Sequence, residues 1–336
     1  MAFLGQSTEL PSRRIPRKVS RRSLLRKFGI GTLKWGTVLS VGGATGFFAR
    51  PYLDDTTQKA QPVLEREDGG ESLVLCDFHA HIRNDQGDLE DVVEMLGSPG
   101  LVGLTQRPDT TELVTYEQAV ELVKDLGGFE ELTPGQLARF RDGYFTRTEE
   151  IDCGGPDILA IGFDGDYLPK YENVFSAIDE IRRRDGISVY TSPYLIAEGK
   201  TFRLPTAEEE AKIRFTCGLV DFVEVHNAYS IDYLWFDVKK ANELAVKMVD
   251  TNCDGLVEPS ETPKRFTGSD AHALTHTKLT GMYVREDDLQ DMATLKQALR
   301  AGDYFSIGDS KLGPYVSEGG FTKTMVLPRI ARFFGL

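Results

Sequence analysis

Two short stretches of the 336-residue chain carry residue types that bind metals. Cys76-Asp77-Phe78-His79-Ala80-His81 follows the apolar run Leu73, Val74, Leu75, and Phe266-Thr267-Gly268-Ser269-Asp270-Ala271-His272 lies far downstream. Side chains alternate along a strand, so His79 and His81, two residues apart, project to the same side. Asp270 and His272 repeat that spacing with a carboxylate and an imidazole. Three of the five histidines and one aspartate thus sit at two expected strand ends. Imidazole with carboxylate suits zinc, manganese or iron.

The elements that must position these groups follow a regular order. Short apolar runs alternate with helical patterns, as in parallel βα units. Strands are expected at Leu73–Cys76, Leu101–Leu104, Ile158–Phe163, Ile187–Tyr190 and Leu219–Val225, with a last one ending at Asp270. Their ends carry His79 and His81, then Thr105-Gln106-Arg107, Asp164-Gly165-Asp166 and Thr191-Ser192-Pro193. The fifth carries Glu224, His226 and Asn227. Helices are expected over Tyr116–Leu126, Tyr171–Arg184, Thr206–Thr216 and Asp237–Val249, and Thr206 with Glu209 forms a capping box. Residues 112–150 read as a helical insertion, and Met325–Leu336 as a small amphipathic surface helix. In parallel α/β barrels the functional groups collect at the carboxyl ends of strands.

Asp77-Phe78-His79-Ala80-His81, Val223-Glu224-Val225-His226-Asn227 and Gly268-Ser269-Asp270-Ala271-His272 resemble successive motifs of the polymerase-and-histidinol-phosphatase (PHP) superfamily of metal-dependent phosphoesterases. The resemblance covers roughly residues 73–308 and implies a distorted (β/α)7 barrel. It implies His79, His81, Asp270 and His272 as metal ligands, with Asp164 as a bridging carboxylate and His226 serving a second ion. One to two zinc, manganese or iron ions are implied, with a small phosphorylated substrate. A metal-bound hydroxide would hydrolyse the phosphate ester, because a metal lowers the pKa of its water to about 7. Two positions depart from the family pattern. Gln106-Arg107 stands in place of Asp-His, and Ser192-Pro193 in place of His-Pro. Arg107 is expected to fork onto the phosphate, joining Asp164 and His272 as catalytic residues. The alternative is a non-catalytic metal-binding or interaction protein on a reduced site. An amidohydrolase-like reading lacks the lysine or further histidines that it needs at later strand ends.

Asp250, Asn252, Asp254, Leu256, Glu258 and Glu261 fall at ligand positions of a twelve-residue calcium loop that follows an expected helix. Pro259 and Pro263 speak against an exiting helix, which leaves an acidic insertion as the alternative.

The formal charge of −13 is unevenly spread: residues 1–50 carry ten Lys/Arg and one Glu, leaving −22 on the rest. A body so acidic is expected not to bind nucleic acid. Residues 1–49 contain Ser20-Arg21-Arg22-Ser23-Leu24-Leu25 ahead of a modestly apolar, Gly-rich stretch. This resembles a twin-arginine export signal; a single-span anchor is the alternative. Either one implies contact with export machinery or membrane, and an exported or membrane-anchored, extracytoplasmic body. Residues 50–72 read as a linker, 73–312 as the hydrolase domain and 313–336 as a tail. Cys76, Cys153, Cys217 and Cys253 show no zinc-ribbon spacing and are expected as thiols, with two disulfides as the alternative.

Overall fold

The computed structural model describes residues 63–64, 72–83, 89–108, 110–198, 201–227, 238–255 and 262–306, the last range without 273, 275, 276 and 279. The expected signal, linker and tail, together with His276, lie outside the described residues except Val63, Leu64 and Ser72. No helix among the described residues is long and apolar enough to cross a membrane.

The chain enters through β1 (Val63–Leu64) and β2 (Leu73–Ala80), followed by α1 (Leu89–Gly97) and β3 (Gly100–Gln106). Helix α2 (Tyr116–Val123) starts at Thr115, whose hydroxyl accepts from Gln118 N–H while the Gln118 side chain reaches back to the Thr115 amide. The next segment holds β4 (Phe129–Thr133), β5 (Leu137–Phe140) and β6 (Gly143–Asp152). The expectation of a helical insertion over 112–150 is therefore corrected. Only its first part is helical, and the rest is a hairpin feeding a ten-residue strand.

Next come β7 (Asp157–Ile161), α3 (Val174–Arg183), β8 (Ile187–Tyr190) and the hairpin β9 (Ile196–Glu198) with β10 (Thr201–Arg203). Helix α4 (Ala207–Cys217) opens on the capping box of Thr206 and Glu209. Then follow β11 (Phe222–Asn227), α5 (Val238–Asp250), the short turn α6 (Asn252–Gly255) and β12 (Lys264–Gly268). The described chain closes with β13 (Met282–Arg285), α7 (Met292–Ala301) and β14 (Tyr304–Ser306).

The main sheet runs β12-β11-β8-β7-β6-β3-β2-β13-β14. Strands β2, β3 and β6 are parallel, and so are β8, β11 and β12. Between these groups β7 runs antiparallel to both β6 and β8. The result is an α/β fold with a curled, mixed sheet in place of a regular series of parallel βα units. The curl brings the chain after β12 against the end of β2: Ala80 bridges Ala271, and His81 N–H donates to Ala271 O at 2.7 Å.

Apolar side chains fill both sides of this sheet. One cluster joins Phe78, Leu101, Ile161, Ile187, Phe222 and Phe266 to Leu295 and Leu299 of α7. Another packs Ile178 and Ile181 of α3 and Ile213 of α4 onto Ile158, Tyr190 and Val223. Burying such side chains contributes on the order of 1.5–3 kcal/mol each, which fixes the strand ends. Cys217 and Cys253 form a disulfide between α4 and α6, correcting the expectation of four thiols, while Cys76 and Cys153 are buried thiols.

Candidate metal centre

The carboxyl ends of the parallel strands converge. β2 delivers His79 and, one residue past its end, His81, which are 1% and 2% exposed. β6 delivers Glu150, β11 delivers Glu224 and Asn227, and the turn after β12 delivers Asp270 and His272. Asp270 adopts a left-handed backbone (φ 48°), a conformation that Asp tolerates better than most residues.

Five candidate ligand atoms from four residues face one another. His79 Nε2 lies 3.5 Å from Glu150 Oε1 and 3.6 Å from Asp270 Oδ1. His81 Nε2 lies 3.2 Å from Glu150 Oε2 and 3.6 Å from the same Asp270 Oδ1. Ligands held at about 2.1 Å around one tetrahedral ion stand about 3.4 Å apart. His79 Nε2 is buried and makes no hydrogen bond, although buried polar atoms almost always find a partner. These observations fit a divalent metal held by His79, His81 and Glu150, whose ligand atoms come together, with Asp270 beside them. His272 sits alongside, its ring 4.9 Å from that of His81 and its Nδ1 3.6 Å from Asp270 Oδ1, so His81, Asp270 and His272 form an overlapping group.

A layer behind the donors fixes their orientation. His79 Nδ1 is 2.9 Å from Glu224 Oε1. Glu224 Oε2 in turn accepts from Ser192 N–H (3.0 Å) and Asn227 Nδ2 (2.9 Å). A carboxylate on one imidazole nitrogen turns the other toward a metal. Gly268 makes room for this contact, since a Cβ there would lie 2.7 Å from Glu224 Oε1 and 2.8 Å from His79 Cβ. Asp77 ties the two motifs together: its Oδ1 accepts from Ser269 N–H (3.1 Å), and its Oδ2 accepts from Ser269 Oγ (2.6 Å) and Lys278 N–H (3.0 Å). Burial nevertheless pushes the Asp77 carboxyl up to about 6.

Electrostatics mark the cluster as a cation site. Burial opposes charge on His79, yet the Glu224, Asp270 and Glu150 carboxylates around it raise its pKa well above the usual imidazole range. Burial likewise opposes ionisation of Glu150, but His79 and His81 hold it well below the usual carboxylate range.

The structure redistributes the expected residues. Asp164 is exposed and accepts from Gln136 Nε2 at 2.7 Å, away from the histidines. The reason is the direction of β7. Running antiparallel, it brings its first residue, Asp157, to the cluster's end of the sheet and sends Asp164 to the far end. Glu150 supplies the carboxylate instead. It went unread because β6 contains Thr146-Arg147-Thr148-Glu149-Glu150, a polar run that masks the strand. The available signal was the β-favouring Tyr144, Phe145, Thr146 and Thr148.

Glu224 and His226 do not share a face in the expected way. The β11–β12 register shifts between them, Glu224 pairing with Phe266 and His226 with Thr267. His226 is absent from both donor groups, and burial lowers its pKa to about 4. Gln106 turns away and donates to Val114 O at 2.7 Å. Arg107 does face the cluster, with Nη1 2.7 Å from Glu150 Oε2 and 3.7 Å from Asp157 Oδ2.

Only Asp250 and Asn252 of the expected calcium ligands have side chains among the described residues. Asp250 pairs with Arg265, Asn252 Oδ1 accepts from Thr262 Oγ1 at 2.9 Å, and α6 carries the disulfide where an open loop was expected. The Asp254 side chain and Leu256, Glu258 and Glu261 lie outside the described residues.

The donors open into a cleft of about 640 Å3 lined by His81, Arg107, Glu150, Asp157, Asp270 and His272. Its lining also includes Tyr190, Leu195, Ile196 and Ile213, together with Thr191, Ser192, Glu209 and Lys212.

No protein-family model matches the chain, and no curated protein does. Similar solved structures include PsfC from Pseudomonas syringae, 14% identical, covering 78% of this chain and 98% of that one at a TM-score of 0.46. Another is a two-domain protein from Bacteroides vulgatus containing a predicted PHP-like metal-dependent phosphoesterase, 14% identical over 74% of this chain and 68% of that one, TM-score 0.44. A third is Endonuclease Q in complex with a 27-mer duplex substrate bearing an abasic lesion at the active site, 12% identical, TM-score 0.41. This alignment covers 69% of the present chain and 58% of Endonuclease Q. That complex corrects the expectation that nucleic acid lies outside the partners. The physical reason is that net charge averages over the whole surface and does not by itself exclude a polyanionic partner.

Proposed function

We propose that this chain is a metal-dependent phosphoesterase whose ion is held by His79, His81, Glu150 and Asp270, with His272 beside them. The observation that carries the reading is that the buried Nε2 atoms of His79 and His81 each lie 3.2–3.6 Å from carboxylate oxygens of Glu150 and Asp270, with His79 Nε2 making no hydrogen bond. A divalent ion bound there supplies Lewis-acid activation of water and of a phosphoryl oxygen.

The chain's own residues do the rest. Glu224 holds His79 with Nδ1 protonated and Nε2 available. Arg107, anchored on Glu150 at the edge of the cleft, offers a planar guanidinium to a phosphate. The cleft walls hold the ester beside these groups.

Gln106 and Ser192, turned to Val114 O and Glu224, leave a smaller donor set than the family pattern and favour non-catalytic metal binding as the second reading. The test is hydrolysis of p-nitrophenyl phosphate and bis(p-nitrophenyl) phosphate by metal-stripped protein and by protein reloaded with zinc or manganese. Metal-restored turnover that His79→Ala abolishes supports the phosphoesterase. Tight metal binding with no turnover selects the second reading.

We also propose that the body acts outside the cytoplasm. The Cys217–Cys253 disulfide supports this placement, since such bonds persist in oxidising compartments. Cell fractionation with thiol labelling tests it, and a cytoplasmic, fully reduced protein contradicts it.

A further inference from the structure

Besides the donors and Arg107, the cleft is lined by Thr191, Ser192, Glu209 and Lys212 and by an apolar patch: Leu195 and Ile196 at the start of the β9–β10 hairpin, Ile213 on α4 and the ring of Tyr190. This patch is continuous with the core cluster that also contains Ile158 and Tyr194, so it is backed by packed side chains and presents a fixed surface. Leu195 and Ile196 are only half-buried, which leaves apolar area for a ligand to cover. Asp157 and Pro156 line the same cleft, so a single molecule in it can touch both the donors and this patch.

We infer that the cleft selects phosphate esters of an apolar alcohol, with the alkyl or aryl group lying on Leu195, Ile196 and Ile213. This rests on the phosphoesterase reading for the position of the phosphate. The ester's organic group is the occupant because the apolar wall and the donor cluster share one cavity. Each methylene removed from water onto such a wall strengthens binding by about fourfold.

Alkylphosphonates separate this inference from the reading beneath it, because they report binding without turnover. Calorimetric titration of the zinc-loaded protein with methylphosphonate and butylphosphonate is expected to show butyl binding tighter by tens-fold. Ile196→Asp and Leu195→Ala are expected to collapse that butyl-to-methyl ratio toward one. The ratio is an internal comparison, and Leu195→Ala, the milder change, covers the case in which the aspartate disturbs the hairpin. Kinetics with methyl phosphate and butyl phosphate are run in parallel. A chain-length dependence of binding without turnover of either ester sinks the phosphoesterase reading and keeps the subsite. Turnover of both esters with equal phosphonate affinities overturns the subsite and keeps the reading. A strong wild-type preference that both variants retain overturns the assignment to this wall.

Discussion

Replacing Glu224 by glutamine tests whether the buried carboxylate behind His79 sets the metal site. Glu224 accepts on both oxygens: Oε1 faces His79 Nδ1 at 2.9 Å, and Oε2 takes Ser192 N–H at 3.0 Å and Asn227 Nδ2 at 2.9 Å. Glutamine has one acceptor oxygen and one donor NH2. If its oxygen stays with Ser192 and Asn227, the NH2 meets His79 Nδ1. The proton of His79 then moves to Nε2, the atom that faces Glu150 and Asp270. If its oxygen stays with His79, the NH2 opposes two donors, and each buried group left unsatisfied costs about 1–3 kcal/mol. The first orientation is the cheaper one and places a proton where the metal must bind. Removing such an orienting partner typically weakens metal affinity by about 10–100-fold, or roughly 1.4–2.7 kcal/mol. Zinc calorimetry with a competing chelator measures the loss, and thermal melting of the metal-free protein checks that the fold survives. A Glu224→Gln protein that binds zinc within about threefold of wild type would refute the orienting role.

Two further outcomes concern stability. The Cys217–Cys253 bond closes a loop with a sequence separation of 36, and chain entropy assigns it about 4 kcal/mol. Cys217→Ser should lower the urea midpoint as reductant does to wild type, and four free thiols in denatured, unreduced protein would contradict it. Burial pushes the Glu149 carboxyl up to about 7, against the hydrogen bond that it accepts from Leu168 N–H. The ordinary value is about 4.3, so the folded state holds a proton between these limits. The stability contribution is therefore present below about pH 4 and is lost as pH rises toward 7, by roughly 4 kcal/mol at most. Glu149→Gln keeps the acceptor without the charge and should flatten that part of the melting-temperature profile between pH 5 and 8. An unchanged profile would show that Glu149 is ionised in the fold at a normal pH.

The strand ends that carry His79, His81, Asp270 and His272 were legible from their i, i+2 spacing, and the first also from the apolar run Leu73-Val74-Leu75 ahead of it. Strand β8 over Ile187–Tyr190 and the Thr206 cap of α4 were legible for similar local reasons. Strand β6 was not, because its buried polar groups are satisfied by distant partners. Arg147 donates to Phe163 O (2.6 Å), Thr148 Oγ1 meets Thr105 Oγ1 (2.9 Å), and Glu149 accepts from Leu168. Local periodicity cannot report such contacts. The direction of β7 was equally hidden, since an apolar run reads the same either way along a sheet. That one reversal moves Asp164 out of the cluster and Asp157 toward it. The disulfide joins residues whose proximity depends on how α4 and α6 pack, which spacing does not encode.

Metal stoichiometry and affinity across four variants test the central claim most directly. The account predicts that wild type binds zinc or manganese, that His79→Ala, Glu150→Ala and Asp270→Ala each weaken binding by about 100-fold or more, and that Asp164→Ala stays within about twofold of wild type. Full metal occupancy in Glu150→Ala, or a loss in Asp164→Ala as large as in His79→Ala, would contradict it.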